Sequence, residues 1–124
     1  SRAVGAAVEL TVATPELPDA VARAVYRIVQ EGLTNVHKHA RGAATDVSVV
    51  GDDHSEVEVV VANRRPVAAE PFTGGLPGSG AGLAGLTERV RLLGGSLVAG
   101  PTGEGGWEVR ASLPVPARAA VTTP

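Results

Sequence analysis

The stretch Glu31-Gly-Leu-Thr-Asn35-Val-His-Lys38-His39-Ala concentrates more polar chemistry than any other part of the chain. Its pattern is helical, and on a helix Glu31, Asn35 and Lys38 stand nearly above one another, giving a strip of one carboxylate, one amide and one ammonium. Such a strip suits a metal-bound phosphate. Lys38 is the only lysine among the 11 Lys and Arg residues, which suggests that a compact point charge, not a planar guanidinium, is wanted there. Polar residues at this spacing ordinarily make a solvated helix face. A second polar feature, the glycine-rich segment Gly78-Ser-Gly80-Ala-Gly82-Leu83, weighs against so plain a reading. It opens another helix, where free backbone amides and the helix dipole hold anions and glycines let the main chain come close.

Positioning these groups takes a frame of strands and two helices. Val8, Leu10 and Val12 alternate with Glu9 and Thr11, the period of a half-buried strand. Pro18 and Asp19 then start a helix running to about residue 40, with Val21, Val25, Ile28, Val29, Leu33, Val36 and Ala40 as its apolar stripe. On this wheel Glu31, Asn35 and Lys38 flank the core, and His39 falls at the border of the stripe. Asp46 to Val50 and Val57 to Val61 read as a hairpin around Gly51-Asp52-Asp53-His54. A connection rich in Pro and Gly follows, up to Gly82, of a length that usually marks a lid or binding loop. The second helix carries Leu83, Leu86, Val90 and Leu93 inward and stops at Gly94-Gly95. Ser96 to Ala99 and Trp107 to Leu113 form a last pair of strands, with Trp107, Val109, Ala111 and Leu113 on one face. This order predicts an α/β (α+β) two-layer sandwich, a mixed β-sheet covered on one face by helices.

Composition narrows the function classes. The chain has 124 residues, enough for one core, and 44% of them are hydrophobic. With no Cys or Met and one each of Trp, Tyr and Phe, the core must be aliphatic, and disulfides and thiolate metal sites are excluded. A net charge of −2 without a basic run, and so few aromatic platforms, argue against nucleic acid. No apolar run approaches the roughly 18 residues of a membrane span, so no direct membrane contact is expected. The strand pattern that starts soon after Ser1 leads us to expect a piece excised from a longer protein.

Two familiar phosphate motifs do not fit. Gly80-x-Gly82-x-x-Gly85 has the dinucleotide-fingerprint spacing, but the segment from Pro71 to Gly78 is no buried strand to precede it. A P-loop needs a Gly-Lys-Ser/Thr ending that is absent.

Tyr26-Arg-Ile-Val-Gln-Glu31-Gly-Leu-Thr-Asn35-Val-His-Lys38-His39-Ala resembles the N box of sensor histidine kinases, in the branch paired with helix-turn-helix response regulators. Gly80-Ala-Gly82-Leu-Ala-Gly85-Leu-Thr-Glu88-Arg89-Val, with Leu-Gly-Gly95 beyond it, resembles that branch's second glycine box and following helix. The resemblance implies the catalytic, ATP-binding domain of such a kinase, with the Bergerat sandwich shared by gyrase, the Hsp90 chaperones and MutL. It implies a domain over residues 1–115 with a lid at 64–82 and a flexible tail at 116–124. By analogy Asn35 ligates Mg²⁺ and Glu31 is the general base or its orienter. Lys38 or His39 contacts phosphates, and Gly80 and Gly82 wrap the triphosphate of ATP in a segment that takes in Gly78 and Leu83. The implied partners are a dimerisation domain of the same protein, bearing the phosphoacceptor histidine, and a cognate response regulator, in the cytoplasm.

One departure touches the base. Where the family's strand ends in Asp-x-Gly, whose aspartate binds the adenine amino group, this chain has Asn63-Arg64-Arg65. The acceptor histidine is expected upstream of Ser1, because His37, His39 and His54 all lack its acidic context; His37 and His54 read as surface residues. Two other readings share the fold: a non-catalytic signalling module with a degenerate adenine pocket, and a serine kinase of the anti-sigma-factor type. Glu31 and Asn35 favour an enzyme over the former; Lys38-His39-Ala and the Glu88-Arg89-Val helix favour the histidine kinase over the latter.

Overall fold

In the computed structural model the described residues are 8–39, 42–52, 55–64, 79–103 and 105–115. They form β1 (Val8–Ala13), α1 (Asp19–His39), β2 (Thr45–Gly51), β3 (Glu56–Asn63), α2 (Ser79–Leu92), β4 (Ser96–Pro101) and β5 (Trp107–Pro114). One five-stranded sheet runs in the order β1-β2-β3-β5-β4. β1 lies parallel to β2 and every other pair is antiparallel, so the sheet is mixed, as expected. No helix among the described residues is long and apolar enough to cross a membrane.

The strands alternate because one face is packed and the other is wet. Val57, Val59 and Val61 of β3 and Val109, Ala111 and Leu113 of β5 are all at most 2% exposed, and they meet Val21, Ala24, Val25 and Ile28 of α1 and Leu86 and Val90 of α2. The opposite face carries Glu56, Glu58, Glu108 and Arg110, with Arg110 bonded to both Glu108 and Glu58. Those two hydrogen bonds, the one to Glu108 foremost, hold the Arg110 guanidinium above its ordinary pKa.

Helix ends follow local chemistry. The Pro18 carbonyl accepts the first helical bond from Ala22 at 2.8 Å, so Pro18 is the cap and Asp19 the first helical residue. At the end of α2, Gly94 takes φ 89° and the amide of Gly95 reaches back to the Val90 carbonyl at 2.9 Å, while Gly94 bonds Arg91. This paired closure stops the helix where the glycine pair predicts.

One expectation fails on burial. β1 forms, but its apolar residues stay in the open: Leu10 is 64% exposed, and Val8 and Val12 are close behind. Alternation in sequence marks which face a residue takes, whereas burial needs a covering layer, and α1 packs over β2, β3 and β5 instead of the edge strand. Trp107 shares the parity of Val109, Ala111 and Leu113, yet it sits at the sheet's end and is 39% exposed. The expected lid at 64–82 lies outside the described residues apart from Arg64 and the helical residues 79–82, and so do Gly78, Arg65, His54 and the tail at 116–124. Ser79 to Gly82 are the first turn of α2, not loop.

Candidate functional site

Gly32 sets the height of α1 above the sheet. A Cβ there would stand 2.9 Å from Val61 Cβ and Cγ1, well inside the contact distance of two carbons, so the helix backbone lies directly on β3. A glycine within a helical pattern costs roughly 1 kcal/mol relative to alanine and, when retained, commonly has a packing reason. Here the reason is close approach, and the same seating sets the depth of Glu31 and Asn35, which ride on the same turns.

The three strip residues end up in three environments. Asn35 is buried, 8% exposed, so it lies in the core layer and does not flank it as the wheel predicts. Glu31 is half-buried and Lys38 is exposed. The wheel places directions around one helix; the depth of each residue depends on what packs beside that helix, and α2 packs on the side of Glu31. The side chain of His39 lies outside the described residues.

Asn35 has an acceptor with nothing to accept from. Its Oδ1 is the one buried side-chain oxygen or nitrogen without a hydrogen-bond partner among the described residues. Burying an unpaired amide oxygen costs on the order of 1–3 kcal/mol, so a partner is called for. A hard cation takes such an oxygen, and Mg²⁺ in particular accepts a single protein oxygen beside phosphate and water ligands.

Glu31 meets the second motif. A Cβ on Gly82 would overlap Glu31 Oε2 and lie 2.7 Å from its Cδ, so the carboxylate occupies the space that a side chain at 82 would fill. α2 has no acidic residue in its own first turn, and Glu31 supplies the negative charge that the dipole favours there. The two motifs, read separately along the chain, are thus in contact.

Asn63 is buried too, 6% exposed, and its Nδ2 donates to the Arg64 carbonyl at 2.9 Å. Across the sheet it stands between Thr45 and Trp107. The chain leaves α1 at His39 and enters β2 at Thr45, opposite Asn63, so the second half of α1 and the Asn63 end of the sheet lie at the same end of the sandwich. Arg64 turns away from that end's interior and pairs with Asp46 at 2.9 Å. Lys38 makes no ion pair among the described residues. Gly80 is in the first turn of α2 with Gly82, and Leu83 is partly buried against the core. On sequence alone Gly32 carries no role beyond the signal of its isolated position in an apolar helical series.

Residues 20–117 match the family described as histidine kinase-, DNA gyrase B-, and HSP90-like ATPase. The sensor histidine kinase YxjM of Bacillus subtilis (strain 168) is 36% identical over 98 residues, a stretch covering 79% of this chain and 22% of YxjM. The chain therefore spans about a fifth of that relative, 22% of its length. Among solved structures, the mycobacterial sensor histidine kinase MprB superposes with a TM-score of 0.58 at 22% identity, over 89% of this chain and 83% of that one. The Acinetobacter baumannii histidine kinase AdeS gives 0.59 at 14% identity, over 89% and 55%. These likenesses agree with the sheet and the helix layer described above. With the family match extending from the second residue of α1 past the end of β5, the chain belongs to the histidine kinase-, DNA gyrase B- and HSP90-like ATPases.

Proposed function

We propose that this domain binds ATP with Mg²⁺ and delivers the γ-phosphoryl group to a histidine on a separate dimerisation domain, within a cytoplasmic portion of a sensor histidine kinase that passes the phosphoryl group to a response regulator. The observation that carries the reading is the orphaned, buried Oδ1 of Asn35, one helical turn from Glu31. In the transfer a bond forms between an imidazole nitrogen and the γ-phosphorus. The bond from that phosphorus to the β,γ-bridging oxygen breaks, and its electron pair leaves with ADP. The imidazole proton goes to Glu31, whose half-buried carboxylate is held beside the first turn of α2. Asn35 Oδ1 is the atom that would hold Mg²⁺, whose contribution when bound is to neutralise charge on the phosphate oxygens. Lys38, exposed beyond Asn35 on the same strip, offers an ammonium to the phosphates, and Gly80 and Gly82 let the first turn of α2 approach them.

Asn35→Leu tests this. The substitution keeps the branched outline of the side chain and removes the unpaired oxygen, so the relief of an uncompensated acceptor worth about 1–3 kcal/mol offsets the cost of the bulkier methyl groups and the protein should melt close to wild type. Calorimetric titration with ATP should lose its Mg²⁺-dependent component. An unchanged Mg²⁺ dependence in Asn35→Leu would remove Asn35 from the metal site.

A further inference from the structure

Trp107 is the only tryptophan of the chain, and it stands directly opposite Asn63 in the pairing of β3 with β5. Its parity puts it on the helix-covered face with Val109, Ala111 and Leu113, each at most 1% exposed, yet Trp107 is 39% exposed. An indole is the largest apolar payload a side chain carries, and leaving so much of it uncovered on the buried face forgoes stabilisation.

The position of Trp107 is imposed by its neighbour. A Cβ on Gly106 would overlap the Asn63 carbonyl oxygen and lie 3.1 Å from its carbon, so the backbone before Trp107 is pressed onto the end of β3. Gly106 also donates to Thr102 Oγ1 at 3.1 Å, and its carbonyl accepts from the Thr102 amide at 3.0 Å. The turn is clamped on both sides. Asn63 is constrained as well: its NH₂ is engaged by the Arg64 carbonyl, which leaves Oδ1 as the acceptor end of the amide. A flat apolar surface and a fixed hydrogen-bond acceptor therefore sit on adjacent strands, about 5 Å apart at Cβ as opposed residues are.

That pairing of groups suits a planar heteroaromatic ring carrying an exocyclic amino group. We propose that Trp107 is a further binding residue of the nucleotide site, stacking on the purine ring while Asn63 Oδ1 accepts from the amino group. The proposal rests on the ATP-binding reading above and on placing the base at the Asn63 end of the sheet, where the family resemblance puts the adenine-binding aspartate. It assigns to ring stacking part of the affinity that a carboxylate would otherwise supply. Because every base presents a π-face, it also makes the site tolerant of guanine in place of adenine.

Trp107 reports on itself, since no other tryptophan contributes to its emission. The 124-residue chain is titrated with the Mg²⁺ complexes of ATP, GTP and inorganic tripolyphosphate, following fluorescence and heat in parallel. ATP and GTP should both quench Trp107, and tripolyphosphate should bind without changing the emission. Trp107→Leu should weaken ATP binding on the order of 10- to 100-fold and leave tripolyphosphate binding unchanged. Trp107→Phe, a milder change that keeps an aromatic face, should retain most of the ATP affinity. ATP binding with no change in emission, an equal response to tripolyphosphate, or unaltered ATP affinity in Trp107→Leu would each overturn the stacking role alone. Absence of any ATP heat from the wild-type chain would instead overturn the nucleotide reading, and the stacking with it.

Discussion

Gly32→Ala puts the seating of α1 to a test in which two effects of opposite sign compete. Helix propensity alone favours the alanine by about 1 kcal/mol. Against it stands the new Cβ, which would lie 2.9 Å from Val61 Cβ and Cγ1 and 3.0 Å from Cγ2. Comfortable carbon contacts begin near 3.5 Å, so α1 must rise, or Val61 must retreat, by roughly half an ångström or more. Val61 is 2% exposed and surrounded by core, which leaves it nowhere to go without moving others. Overpacking of a tight core costs about 1–3 kcal/mol, so the net loss reaches about 2 kcal/mol once propensity is returned. Urea unfolding should show this as a fall in midpoint on the order of 1 M with an unchanged slope. The lift also carries Glu31 and Asn35 away from α2 and the sheet, so ATP affinity measured by calorimetry should fall with stability. A gain in stability of about 1 kcal/mol, the value of propensity by itself, would show that Gly32 leaves room for a methyl group and does not set the height of the helix.

Two further predictions address Gly82 and Asn63. Gly82→Ala should displace the Glu31 carboxylate, the flexible partner in that contact, more than it destabilises the fold. In a protein carrying the acceptor domain, the transfer rate should drop on the order of 100-fold at saturating ATP, and a rate equal to wild type would separate Gly82 from Glu31. Asn63→Asp should tighten ATP binding on the order of 1 kcal/mol through a charge-assisted acceptor and raise selectivity for ATP over GTP. It also loses the 2.9 Å donation to the Arg64 carbonyl, so its melting temperature should fall while its affinity rises; calorimetry showing neither gain would place Asn63 outside the base site.

Much of this protein was legible in residue order because it depends on period and punctuation. The helix carrying Glu31 and Asn35, its start at Pro18-Asp19, the stop at Gly94-Gly95 and the alternation of the strands are all set within a few residues along the chain. The candidate site residues were nameable for the same reason, since Glu31, Asn35 and Lys38 mark one helical face and Gly80 and Gly82 a helix start.

Depth and contact were decided only by tertiary structure. Periodicity fixes a direction around each element and is silent on what stands in that direction. Leu10 and Val59 alternate alike, yet one is 64% exposed on an edge strand beyond the reach of α1 and the other is fully buried beneath the helices. Asn35 became a buried, unpartnered acceptor, Glu31 came to rest against Gly82, and Trp107 was placed opposite Asn63. Each of these pairs joins distant parts of the chain, or a residue to the layer above it. Such contacts arise from the packing of whole elements, which no local spacing encodes.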